Sequence, residues 1–138
     1  MLSQTFHREK LEIRGLARKP GLLYRSGIMV KESAKVLIVF TTVGKRSDAL
    51  RMSRTVVKLR KVAACATILP AISIYRWKGK IIHEREVLIM FKTTNEKYPA
   101  LEKAIKALHT YEIPEILALA VSSGYSPYLG WVTSEVSD

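Results

Sequence analysis

The stretch His109–Trp131 reads HTYEIPEILALAVSSGYSPYLGW, and its reading decides the fold. It begins where an amphipathic helix ends. Pro114 blocks any continuation of that helix, because its ring fixes φ and it has no N–H to donate. The apolar run Ile116–Val121 suits a strand buried on both faces. Ser122, Ser123 and Gly124 close the strand as a loop. Tyr125, Tyr128 and Trp131 then recur every third residue, which places them on one side of a short helix or turn. The C-terminal third is therefore helix, strand, short helix.

Working back from this stretch completes the pattern. Val36–Thr42, VLIVFTT, is a β-branched and aromatic run that reads as a central strand. Ser47 and Asp48 offer N-cap oxygens to a helix. In that helix Ala49, Met52, Val56 and Leu59 form an apolar stripe, with Arg51, Arg54, Lys58 and Lys61 outside. Val62–Trp77 is a long second strand, and Pro70 inside it requires a bulge, a bend or an edge. Trp77-Lys78-Gly79-Lys80 is a tight hairpin turn, and Ile81–Thr94 returns as the third strand. Asn95 is the expected cap of a second helix with Pro99 in its first turn and Leu101, Ile105 and Leu108 facing inward. The order is β-α-β-β-α-β, an α+β ferredoxin-like arrangement with an antiparallel sheet, a long hairpin between the second and third strands, and a short C-terminal helix. Two strands of that length overhang a sheet built on a seven-residue neighbour. A raw edge of this kind calls for a partner, and a second subunit is the natural one.

A chain of 138 residues, 48% hydrophobic and 25% charged, is one ordinary globular domain. No apolar run reaches the roughly 18 residues of a membrane span. The single cysteine, Cys65, cannot form an intramolecular disulfide, which points to the reducing cytoplasm. The net charge of +11 is unevenly placed. Residues 1–35 hold eight Lys/Arg against three acids, residues 36–61 seven against one, and residues 62–138 eight against eight. The basic arm, residues 1–33, lacks an apolar period and is expected to be poorly ordered, ahead of a domain spanning 34–138. Its arginines suit an organelle transit peptide, but Glu9 and Glu12 count against one, and Met29 offers an internal start.

The succession His109-x-Tyr111-x-x-Pro114-Glu115, apolar strand, Gly124-Tyr125, Tyr128-Leu129-x-Trp131 resembles the C-terminal third of the CutA family, the divalent-cation tolerance proteins. Ala63-Ala64-Cys65-Ala66, Tyr75-Arg76-Trp77-Lys78-Gly79-Lys80 and Glu86-Val87 followed by Phe91-Lys92-Thr93-Thr94 fit as well, so the resemblance covers about residues 36 to 135. It implies a non-enzymatic homotrimer tied to divalent-cation, and in particular copper, tolerance. It also implies a trimer similar in shape to the PII signalling proteins, which bind small effectors in clefts. Of the family positions proposed to contact copper, Glu115 matches. Thr41 stands where the first strand can carry cysteine, and Leu108 where some relatives have a second histidine.

Among candidate functional residues, His109, Glu112 and Glu115 form the metal cluster. Imidazole nitrogen with carboxylate oxygen suits copper, zinc or nickel, and a trimer would gather three copies. The bland alternative has His109 closing its helix against the negative C-terminal end, with Glu115 solvated. Trp77, Tyr111, Tyr128 and Trp131, with Glu86 and Lys92, are candidates for a small-ligand pocket at a subunit junction. The bland alternative is subunit packing. Cys65, in an alanine-rich strand, reads as a small packing residue, and His83 as an exposed residue among charged neighbours. No Gly-rich phosphate loop, G-x-S-x-G or H-E-x-x-H is present, so an enzyme is not expected. A basic ferredoxin-like nucleic-acid-binding module is the alternative. The third strand, IIHEREVLIMF, has one aromatic residue and no glycine, so the RNA-recognition stacking platform is missing.

Overall fold

The computed structural model describes residues 22–25, 28–31 and 35–138, in two units, residues 1–33 and 34–138. In the first unit β1 (Leu22–Arg25) pairs antiparallel with β2 (Ile28–Lys31). The sequence reading places no element there. Residues 1–21, on which the expectation of poor order also falls, lie outside the described residues.

In the second unit alternation decides the layers. Along β3 (Val36–Val43), Val39, Thr41 and Val43 are buried while Ile38, Phe40 and Thr42 are only half-buried. One face therefore carries the main helical layer, and the other is partly open. The chain then forms α1 (Arg46–Arg54), which runs on into a π-helical turn at Thr55–Leu59. Lys45, in extended conformation, stands at the N-cap and makes no side-chain cap bond. The expected caps are thus displaced. The helix starts early enough to draw Ser47 and Asp48 into its first turn, where Asp48 pairs with Arg51 at 3.2 Å. Arg60 N–H bonds Thr55 O at 2.9 Å to close the wide turn, and Lys61 reverses the chain with φ 53°.

β4 (Cys65–Trp77) and β5 (Lys80–Thr94) pair without interruption from Cys65–Lys92 to Trp77–Lys80. The turn between them has positive φ at Lys78 and Gly79, the backbone of a two-residue hairpin that follows the strand twist. The sheet order is β4-β5-β3-β6, all neighbours antiparallel. β4 is thus an outer strand, which is how Pro70 is accommodated in an unbroken register. β3 reaches along β5 only from Thr94 to Val87, so Lys80–Glu86 and the opposing half of β4 project beyond the sheet as a two-stranded arm.

α2 (Tyr98–Leu108) has Pro99 in its first turn and buries Leu101, Ala104 and Ile105. Asn95 does not cap it. Its Oδ1 accepts from Lys35 N–H at 2.8 Å and its own N–H donates to Lys35 O at 2.9 Å, tying the entry of β3 to the exit of β5. β6 (Leu117–Ala120) pairs with β3 at the other edge, and all four of its residues are exposed. The expectation of a strand buried on both faces is therefore corrected for the single chain. Among the described residues the strand has one neighbour, β3, and no layer covers it. α3 (Ser126–Val136) closes the domain, packing Val132 and Val136 against Val36 and Ala64. The main core lies on the other face: Val39, Val43, Ile89 and Phe91 of the sheet meet Ala49, Met52, Val56, Leu101 and Ile105 of the helical layer.

Candidate functional site at the end of the central strand

Glu86 is the first residue of β5 beyond the reach of β3, whose last pair is Val43–Val87. An aromatic from the loop after α2 fills the space left there. Tyr111 donates its hydroxyl to Glu86 Oε2 at 2.8 Å, and Glu86 is only 7% exposed. Gly44, just past β3, lies beneath the same hydroxyl, where a Cβ would stand 3.4 Å from it. Burial first, and then the bond to Glu86, push ionisation of Tyr111 well above the ordinary phenol range. Tyr111 is therefore a fixed donor.

His109 braces this tyrosine. Its Nδ1 accepts the backbone N–H of Tyr111 at 3.0 Å, and its Nε2 lies 2.9 Å from Thr42 O. A carbonyl only accepts, so Nε2 carries the proton and the imidazole is the neutral Nε2–H tautomer. The two rings stack with centroids 4.8 Å apart. Burial lowers the imidazole's proton affinity, partly opposed by the Thr42 carbonyl and the charges of Glu86 and Asp48.

This arrangement bears on metal binding. Both ring nitrogens of His109 are occupied, and Glu112 and Glu115 are exposed. Among the described residues no three His, Cys, Asp or Glu side chains come together to hold a metal ion. Within one chain these donors do not fit a copper centre. His109 would have to give up a hydrogen bond to ligate. Thr41, at the position open to cysteine, is fully buried in the sheet.

The remaining candidates fall into two other places. Trp77 stands at the hairpin tip, 56% exposed, with Lys78 Nζ 5.9 Å from its ring centroid. Tyr128 and Trp131 stack at 5.6 Å on α3, and Tyr128 Oη lies 3.6 Å from Cys65 Sγ. Lys92, the register partner of Cys65, donates to Thr67 Oγ1 at 2.6 Å. Lys80, Glu86 and Lys92 mark these three places along β5, about 20 Å between successive ones at strand rise. Glu86, Tyr111 and His109 are joined by hydrogen bonds, and Tyr128 and Trp131 by ring contact. The Thr42 carbonyl and Gly44 were invisible as site residues in the sequence. A glycine directly after a strand was the one available signal.

The projecting arm carries its own message. Ile72 and Ile74 are 74% and 63% exposed, and on the alternation of the strands they share a face with Ile81. Trp77, 56% exposed, stands on the opposite face of the arm, beside Lys80.

The family model for "CutA1 divalent ion tolerance protein" matches residues 37–135. The divalent-cation tolerance protein CutA of Thermus thermophilus is 40% identical over 96 residues, which is 69% of this chain and 92% of that protein. The human protein CutA is 43% identical over 107 residues, 75% of this chain but 59% of the longer human one. Among solved structures, CutA from Xylella fastidiosa superposes with a TM-score of 0.72 at 38% identity, over 75% of this chain and 99% of that one.

Proposed function

The chain belongs to the CutA1 family of divalent ion tolerance proteins, and from that premise we propose that it works as a homotrimer, by binding rather than by catalysis, with a small ligand or divalent cation held at the subunit junctions. The observation that carries this reading is the projecting hairpin: Ile72, Ile74, Trp77 and Ile81 stand exposed on an arm that no other described residue covers. Burying them against neighbours removes apolar area from water and completes open edges. The exposed β6 edge and the half-open sheet face are the complementary surfaces.

At such a junction the polar end of the site is Glu86 backed by Tyr111 and His109, with Trp77, Lys92, Tyr128 and Trp131 contributed from other places on the three chains. Divalent cations, copper first among them, would draw on the exposed carboxylates of Glu112 and Glu115 from more than one chain. His109 would join them by exchanging a ring hydrogen bond for the metal. The free thiol of Cys65 is consistent with work in the reducing cytoplasm.

Copper titration of the intact assembly, comparing wild type with His109→Ala and Glu115→Ala, tests the metal reading. Weaker binding in Glu115→Ala is expected. Equal binding by all three proteins removes these residues from the site.

A further inference from the structure

The helical layer carries a feature that neither the sheet nor the junctions use. Between Lys45 and Lys61 the chain has seven Lys/Arg and one acid, and all seven cations are exposed. Asp48, the acid, is engaged by Arg51. The buried residues Ala49, Met52 and Val56 fix the orientation of the helix against the core. Arg51, Arg54 and Lys58 follow at i, i+3, i+7 on the opposite side and form a stripe roughly 10 Å long. Its far end is continued by Arg60 and by Lys61, which the left-handed backbone at Lys61 brings round beside the helix terminus. These last cations sit where the helix dipole is negative, a favourable place for positive charge.

We infer that this stripe is a docking surface for the phosphate backbone of double-stranded nucleic acid, bound without regard to sequence. Several cations in a line, with arginine's planar fork among them, match a run of phosphates. Residues 45–61 contain no aromatic side chain, so unpaired bases have nothing to stack on, and base-specific or single-strand recognition is not supported. The surface differs from the RNA-recognition platform, which lies on sheet strands. It lies on the helical layer, whereas the arm continues the sheet. An anionic membrane is the less favoured partner. Leu59, 73% exposed, is the only large exposed apolar side chain in this segment, too little to anchor in a bilayer.

The test measures binding of the full chain to short duplex DNA and to duplex RNA of the same sequence by fluorescence anisotropy, from about 50 mM salt upward. Alongside run two double variants, Arg54→Glu/Lys58→Glu on the stripe and Lys103→Glu/Lys106→Glu on α2, with circular dichroism to confirm folding. Both duplexes are expected to bind within about tenfold of each other, with affinity falling steeply with salt. The stripe variant is expected to bind at least tenfold more weakly and to flatten the log–log salt slope by about two, since two phosphate contacts are removed. The α2 variant is expected to stay within about twofold of wild type. Should the stripe variant fail to fold, Arg54→Gln/Lys58→Gln gives the same direction of change. No duplex binding at about 50 mM salt, equal loss in the two double variants, or tighter binding to phosphatidylserine vesicles than to duplex would overturn the inference.

Discussion

At the scale of single residues, a carboxylate, a phenol and an imidazole are joined by hydrogen bonds at the end of β3. Tyr111→Phe leaves the buried Glu86 carboxylate without its donor. It is expected to lower stability by about 1–3 kcal/mol in urea denaturation at neutral pH. His109 supplies a pH dependence whose sign follows from its burial. Folded, it releases its proton more readily than in the unfolded chain, so near and below the ordinary imidazole value of about 6.5 the unfolded chain holds more protons. Stability is then full above that value and is lost as pH falls toward the folded one. Denaturation midpoints between about pH 5 and 7 are expected to rise with pH in wild type and to flatten in His109→Gln. Nitrogen NMR shifts should place the proton of His109 on Nε2 at neutral pH. The residues of this cluster were individually legible in the sequence, as a histidine and tyrosine before a proline and a glutamate in a strand. Their joining was not. It depends on β3 ending one residue short of Glu86, and on a backbone carbonyl that no side-chain pattern reveals.

At the scale of elements, period and punctuation carried most of the reading. A β-branched and aromatic run marked β3, Lys78-Gly79 marked the turn of the long hairpin, and Pro99 marked the first turn of α2. Local capping was less legible, because Ser47, Asp48 and Asn95 have short polar side chains with several backbone partners available. Asn95 ties two strand ends instead, and Asp48 serves an arginine. The π-helical turn at Thr55–Leu59 had no signal in the hydrophobic period. The hairpin turn provides a clean test of backbone strain. Gly79 has φ 77° and open space where a Cβ would lie, so Gly79→Ala meets no steric obstacle beyond its own backbone. A loss of about 1 kcal/mol is expected in thermal or urea unfolding. No loss would mean the turn relaxes to a conformation that alanine accepts.

At the scale of the whole molecule, the apolar run of β6 was read as doubly buried, and in one chain it is an exposed edge. The hairpin was read as too long for its sheet, and its outer half exposes Ile72, Ile74, Trp77 and Ile81 among charged residues. The proposed trimer answers both observations, with neighbouring copies covering these surfaces. On the proposed reading, the apolar pattern of β6 reflects burial against a neighbouring copy that the single chain does not contain. The sheet face carrying Ile38, Phe40, Leu88 and Met90, half-buried in one chain, belongs to the same account. The most direct measurement is the mass in solution by size-exclusion chromatography with light scattering, for wild type and for Ile72→Glu/Ile74→Glu. Three chain masses are predicted for wild type and a folded single chain for the variant; a wild-type protein that elutes stably at one chain mass would contradict the account.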